Sequence, residues 1–378
     1  EAAPTHGAHP DTEPVDVRPD RGPLSMDQGF SGDGAIKDAA TSQEVGGLSA
    51  ATIPAPLTTF EGLNNAGNYN LFGFRVNPPD PVGEVGPNHY VEMVNLAFAV
   101  YDKQGNLLLG PVDTGTLWSG FPVEDCTDPS GDPIVVYDQL VDRWILTQFT
   151  TRFTGIPEND VFYNCVAVSQ TADPTGAYYR YAFTSGNYFP DYPKYGVWTD
   201  SYVLTTTDFG PTTEYGVSVY ALEKNRMISG NPNARAVQFF LDSSVVPADL
   251  VGDGLLPPDI DGTRRPIDGA GAPVIGTQDD GGPYGATFDA LNVFELKVEW
   301  TSTPSASFNL MARLPVASFD SIFPCSPTAR DCLPQPGIAN PAQFLDILSY
   351  RQRPIHRLAY RNFGEYESFV SNQSVEAR

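Results

Sequence analysis

From Phe60 onward the apolar side chains of this chain alternate every second residue in short runs, and that pattern most narrows what it can fold into. Leu96, Phe98 and Val100 stand against Ala97, Ala99 and Tyr101, and Trp144, Leu146 and Gln148 against Ile145, Thr147 and Phe149. A period of two sends successive side chains to opposite faces of a pleated backbone, so these runs are expected to be strands. Others of the kind are Val161 to Ser169, Tyr178 to Phe183, Ser201 to Thr207, Gly216 to Leu222, Ala236 to Leu241, Leu291 to Trp300, Ser307 to Leu314, Ile355 to Arg361 and Glu367 to Asn372. One helix is expected, Pro341 to Tyr350, with Asn340 as its cap and Pro at its first position.

Turn chemistry points to antiparallel pairing. Asp102 to Gly105, Asp128 to Gly131 and Asp173 to Gly176 each place Asp first and Gly fourth, and are read as hairpin connections. No βαβ alternation is present, which argues against a parallel α/β sheet. A weak repeat runs through the same region, in which a short polar, Pro-containing lead-in precedes a strand and further strands follow. The lead-ins are Pro78-Pro79-Asp80-Pro81, Gly131-Asp132-Pro133, Asp191-Tyr192-Pro193, Gly271-Ala272-Pro273 and Arg353-Pro354. Five lead-ins give roughly 60 residues per unit, near the size of a four-stranded propeller blade with generous loops. The expected fold is therefore all-β, a five-bladed β-propeller of four-stranded antiparallel blades, with a pair of β-sandwiches as the alternative. The longest insertion, Pro247 to Pro273, reads as loop throughout.

Residues 1–59 have a different texture. Of the chain's 22 Phe, 18 Tyr and 4 Trp, only Phe30 falls there, and Ala, Gly, Pro, Asp and Thr dominate. Such a segment buries too little apolar area to offset its chain entropy, so it is expected to be a flexible acidic arm, or one that docks on a partner, ahead of a folded domain at 60–378. The net charge is -24. That field repels phosphate, which makes nucleic acid and anionic lipid poor partners. No apolar stretch is long enough to span a bilayer, and a chain opening at Glu1 reads as a processed product.

Four cysteines in two local pairs, Cys126 with Cys165 and Cys325 with Cys332, fit two disulfides in an exported protein. Zinc is disfavoured, because only His89 and His356 lie in the folded part and no Cys-x-x-Cys is present.

Several phrases together are distinctive: PPDPVGEVGPNHYVEMVN from Pro78, GDPIVVYDQLVDRWILTQF from Gly131, DPTGAYYRYAF from Asp173, DYPKYGVWTDSYVLTT from Asp191 and HRLAYRNFGEYESFV from His356. In these the chain resembles a group of exported, mostly uncharacterised bacterial proteins that look like β-propellers. The resemblance runs from about Phe60 to Val375. It implies secretion or cell-surface location and an all-β fold, and supplies no catalytic residue. It also implies a further strand beyond Asn372-Gln373-Ser374-Val375. The last blade is then expected to be closed by the amino-terminal segment, by a partner, or by chain past Arg378.

Signatures of serine hydrolases, P-loop enzymes, zinc proteases and dinucleotide binders are absent. What remains is carboxylates at the lead-ins. In a propeller Asp80, Asp132 and Asp191 would converge on one channel mouth, with Glu367 following a strand in the last unit. A carboxylate pair is the equipment of glycoside hydrolysis, and Tyr137, Tyr192, Trp198 and Tyr202 are candidate platforms for sugar rings. Asp before Pro is equally ordinary turn chemistry, and aromatics between blades are equally ordinary core. Lys194, Arg357 and Arg361 are expected to pair with acids such as Asp200 or Glu365, or to bind an acidic sugar. Asp253, Asp259 and Asp261 on the Gly-rich insertion are candidates for calcium, as are Asp279 and Asp280, without the downstream Glu of an EF-hand loop. The expected ligand is an extracellular carbohydrate, bound through the lead-in carboxylates, with hydrolysis as the further option they open. The alternative is a non-catalytic surface or assembly protein that joins subunits through its arm and open last blade.

Overall fold

The computed structural model describes residues 14–16, 55–210, 216–282, 284–321, 331–333, 337, 345–346 and 352–375. Within the arm, β1 (Pro14–Asp16) pairs in parallel with β2 (Arg75–Asn77). Helix α1 (Asn65–Phe72) precedes β2, and the alternation pattern gave no sign of it. Its signals are at its ends, where Asn64 accepts the Gly67 N–H at 2.9 Å and Gly73 closes the last turn at φ 78°.

Three four-stranded antiparallel meanders follow in chain order. The first is β3 (Val82–Val85), β4 (His89–Val94), β5 (Ala97–Asp102) and β6 (Leu107–Asp113). The second is β7 (Ile134–Asp138), β8 (Arg143–Phe149), β9 (Phe162–Ser169) and β10 (Tyr178–Gly186), and the third β11 (Phe189–Val197), β12 (Ser201–Phe209), β13 (Gly216–Glu223) and β14 (Ala236–Leu241). Helices α2 (Lys224–Ile228) and α3 (Ala248–Val251) interrupt the chain around β14. A short strand, β15 (Pro258–Asp261), then precedes a three-stranded sheet of β16 (Ala272–Gln278), β17 (Ala290–Glu299) and β18 (Ser305–Pro315). Strands β19 (Asp331–Leu333) and β20 (Leu345–Asp346) pair with each other. The last sheet, in the order β15-β21-β22, joins β15 to β21 (Ile355–Asn362) and β22 (Glu367–Asn372).

The strand runs named from alternation all appear, and the all-β class with antiparallel four-stranded sheets holds. Four details are corrected. The insertion Pro247 to Pro273 is not loop throughout: it supplies α3 and β15, and β15 runs parallel to β21. Asp128 to Gly131 is not a hairpin but the approach to β7, held by the Gln148 side chain, which accepts from Ser130 N at 3.0 Å and donates to Asp128 O at 2.9 Å. Asp102 and Asp173 do cap hairpins, accepting from Gln104 N and Thr175 N. In the segment expected to be helical, Leu345 and Asp346 are strand, because Leu345 and Asp346 find cross-strand partners in Leu333 and Asp331 and pairing overrides local propensity. The rest of Pro341 to Tyr350 lies outside the described residues.

The two-residue period decides how the sheets stack. In β7, Val135 and Tyr137 face Val91, Met93, Phe98 and Val100 of the first sheet, while Ile134 and Val136 face Tyr195, Val197, Tyr202 and Leu204 of the third. In β12 the alternation repeats, since Val203 turns away from Tyr202 and Leu204 into a core with Val274, Phe294 and Leu296 of the fourth sheet and Ile260 and Tyr360 of the last. Each middle sheet thus buries both faces, and each fully buried Val, Leu, Ile or Phe contributes about 1.5–3 kcal/mol. The first strands of the sheets also pack in sequence, β3 against β7, β7 against β11, β11 against β15 and β15 against β16. At the β11 crossing a side chain has no room, because a Cβ on Gly196 would lie 2.2 Å from the Pro258 carbonyl oxygen.

Cys126 and Cys165 form a disulfide that ties the loop before β7 to β9, both residues fully buried. The expected pair Cys325 and Cys332 lies outside the residues whose side chains are described.

Candidate functional site

The site begins with what proline does to the residue before it. A ring at position i+1 directs residue i toward extended backbone, yet three lead-ins carry a positive φ directly before Pro: Asp80 at 36°, Asp132 at 47° and Tyr192 at 51°. Gln352, just ahead of the Arg353-Pro354 lead-in, also has a positive φ, 37°. Non-glycine residues in this region cost of order 1–3 kcal/mol each, and Asp tolerates it better than Tyr or Gln. The same bend repeated ahead of β3 and β7, within β11 and ahead of β21 brings four lead-ins together.

They line one cavity of about 300 Å³, walled by Asp80, Pro81 and Val82, by Asp132, Pro133 and Ile134, by Tyr192 and Lys194, and by Arg353, Ile355 and His356. Asn95, fully buried after β4, braces two of the bends. Its Nδ2 donates to Asp80 Oδ2 at 2.8 Å and to Pro78 O at 2.6 Å, and its Oδ1 accepts the Asp132 N–H at 2.8 Å. Asn68 of α1 in turn donates to the Asn95 carbonyl at 2.9 Å. Replacing Asn95 with Ala leaves the Asp132 N–H and the Pro78 carbonyl without these partners, with an expected loss of about 1–3 kcal/mol. Denaturant melts of the two proteins check this, and equal midpoints would show that the brace is idle.

The cavity carries both signs of charge. Lys194, 9% exposed, donates to Pro193 O at 2.9 Å, and its Nζ lies 3.4 Å from the centroid of the Tyr192 ring. The Arg353 guanidinium, on a residue 2% exposed, lies 3.3 Å from the same centroid. Burial pushes the Lys194 ammonium below its ordinary value, with the Arg353 charge acting the same way, while Tyr192, Asp132 and Asp80 pull it back up. His356 is pushed down to about 3 by burial and by the neighbouring Lys194 and Arg357 charges, so its imidazole is neutral at ordinary pH. The site can therefore offer carboxylate acceptors, cationic donors and a neutral imidazole to one small occupant.

Of the residues expected here, Asp80, Asp132, Tyr192 and Lys194 line the cavity. Asp191 sits beside it with zero exposure, one oxygen accepting the Tyr192 N–H at 2.8 Å. Glu367 does not belong to the group: it is exposed on β22 and accepts from Tyr360 Oη at 2.6 Å. Tyr137, Trp198 and Tyr202 are not ring platforms but core. Tyr137 packs on Trp144 and donates to Asp142, Trp198 meets Tyr360 edge-on and donates to Ala270 O, and Tyr202 donates to Asp138. Arg361 lies outside the cavity against Phe363. Alternation could not reveal this, because both faces of the middle sheets are buried. Arg353, His356 and Asn95 were missed; the Arg353-Pro354 lead-in was the available signal for the first two.

The calcium candidates are differently employed. Asp259 and Asp261 both pair with Arg357, at 2.8 and 2.6 Å, in place of the partners expected for that arginine, and Asp253 accepts from Tyr284 Oη at 2.6 Å. Among the described residues, Asp279, Asp280 and Asp289 form the group of three acids whose ligand atoms lie within 4.8 Å of one another. Two of those carboxylates are stapled to backbone N–H groups, Asp279 to Gly281 and Ser321, and Asp289 to Asp280 and Phe319.

Comparison with family models, with curated proteins and with solved structures finds no match for this chain.

Proposed function

We propose that the protein is an exported five-bladed β-propeller that binds a single carbohydrate unit in the cavity where its lead-ins meet. One observation carries this reading: bends ahead of or within β3, β7, β11 and β21 deliver acids and cations from four separated segments to one cavity. The sequential packing of first strands, with both faces of each middle sheet buried against neighbours, favours a radial arrangement over two facing sheets. The buried Cys126–Cys165 disulfide supports an oxidising compartment.

Carboxylates at Asp80 and Asp132 suit sugar hydroxyls as acceptors, and Val82, Ile134 and Ile355 give the apolar wall that a ring needs. Hydrolysis would draw its carboxylate pair from the same two residues, Glu367 being elsewhere. Cleavage needs sugar units on both sides of the bond, whereas a cavity of about 300 Å³ stands at the small end of ligand sites. The cavity therefore suits binding better than cleavage.

A second reading, assembly, is favoured by one feature. Among the described residues the last sheet has three strands, and its edge strand β22 leaves Phe369 at 43% and Val370 at 66% exposure, a template for strand addition. Titration calorimetry with a panel of soluble monosaccharides, run alongside sedimentation of the same samples, separates the two. Saturable binding that falls at least about tenfold in Asp132→Asn, with an unchanged far-UV spectrum, is the expected result. No binding by any sugar, together with self-association, would leave assembly as the function.

A further inference from the structure

Lys194 is an unusual wall for a site that takes sugar hydroxyls alone. An ammonium has three donors, and here it makes one hydrogen bond, to Pro193 O. Among the described residues no carboxylate lies within ion-pairing distance of Nζ; Asp80 and Asp132 act on it only from further away. Arg353 shares the same Tyr192 ring, so two cations sit close together in a desolvated wall and repel one another. Burying a charge with incomplete pairing is costly, and a neutral occupant would leave that cost in place. A carboxylate on the occupant would remove it, through charge-assisted hydrogen bonds roughly twice as strong as neutral ones.

The same lining also makes a different demand. Asp80 and Asp132 are acceptors, which reject a second anionic group and suit hydroxyls. The lining thus combines a cation at Lys194 with acids at the first two lead-ins. A bare inorganic anion would satisfy one demand and a neutral hexose the other, while a hexuronic acid, with one carboxylate on a ring of hydroxyls, satisfies both.

We propose that the occupant is an acidic sugar unit, a hexuronate whose carboxylate is taken by Lys194 with Arg353 behind it and whose hydroxyls are taken by Asp80 and Asp132. The inference rests on the sugar-binding reading above and narrows its ligand class. The net charge of -24 opposes approach of any anion, so the preference must arise at contact. At an ionic strength of about 0.15 M the screening length is about 8 Å, and the contact contribution dominates.

The test is calorimetry of the full chain at that ionic strength with glucuronate, galacturonate, glucose, galactose and acetate. Each uronate is expected to bind about tenfold or more tighter than its neutral counterpart and than acetate, a difference of about 1.4 kcal/mol. Lys194→Met is expected to abolish the preference, and Lys194→Arg to retain part of it. Equal affinity for uronates and neutral sugars in the unaltered protein overturns this inference and leaves the sugar reading standing. Acetate binding as tightly as the uronates overturns it too, since the hydroxyls would then contribute nothing. Binding of none of the five removes both readings. The comparison among ligands needs only the unaltered protein, so it holds even where the Met variant fails to fold.

Discussion

Asp138→Ala is expected to cost about 3–5 kcal/mol of folding stability, because it strands a buried ammonium. Asp138 ends β7 with zero exposure, and its Oδ2 lies 2.6 Å from Lys224 Nζ, on a side chain only 2% exposed at the start of α2. The same carboxylate accepts from Tyr202 Oη at 3.0 Å and from Leu140 N at 3.0 Å. Lys224 also donates to Trp198 O at 3.0 Å. Burial pushes the Lys224 ammonium down from its ordinary value, and Asp138 is the main group that holds it up. Removing the acid therefore leaves a cation with no comparable partner between the second and third sheets. The double variant Asp138→Asn with Lys224→Met is expected to recover much of the loss, since neutral groups in the same space escape the charge-burial penalty. Denaturant midpoints of the unaltered, single and double variants measure this. A single variant within about 1 kcal/mol of the parent would mean that water reaches the pair.

How far the sequence predicts such features depends on how local they are. Strand positions in the sheets were legible because alternation is written within each run, as at Trp144 to Gln148. The lead-in bends were legible for the same reason, through Asp80-Pro81, Asp132-Pro133 and Tyr192-Pro193. Which face of a strand meets which neighbour was not legible, because a strand buried on both sides carries apolar residues at every position. That is why Tyr137, Trp198 and Tyr202, read as ring platforms, are core instead. Asn95 escaped notice because an asparagine at a strand end is unremarkable until chain distant from it arrives to be held. Arg353 and His356 joined the site only because β21, from the far end of the chain, lies beside strands laid down much earlier. Glu367, β15 and the parallel pairing to β21 illustrate the same limit: each depends on a contact about 100 residues away or on an unforeseen neighbour in the sheet.

Asp208 gives the clearest dependence on pH. It lies next to the last residue of β12 with zero exposure, accepts from Thr206 Oγ1 at 2.7 Å and from Ser218 Oγ, and has no cationic partner among the described residues. Burial pushes its carboxyl up to about 7, and the two hydroxyls only partly oppose this. In the unfolded chain the group titrates near 3.8. Between these values the folded state holds a proton that the unfolded state has released, so stability falls as pH rises. The contribution is fully present below about pH 4 and is lost as pH passes through about 7, amounting to on the order of 4 kcal/mol. Asp208→Asn keeps a neutral side chain of the same shape at every pH. Relative to that variant, the parent is expected to lose stability from about pH 4 to about pH 7 and to level off above it. Asp113, raised to about 6, and Asp259, raised to about 7 beside Arg357, titrate in both proteins and cancel in the difference. Denaturant midpoints of the two proteins across that range are the measurement, and parallel profiles would show that Asp208 is already ionised in the folded state.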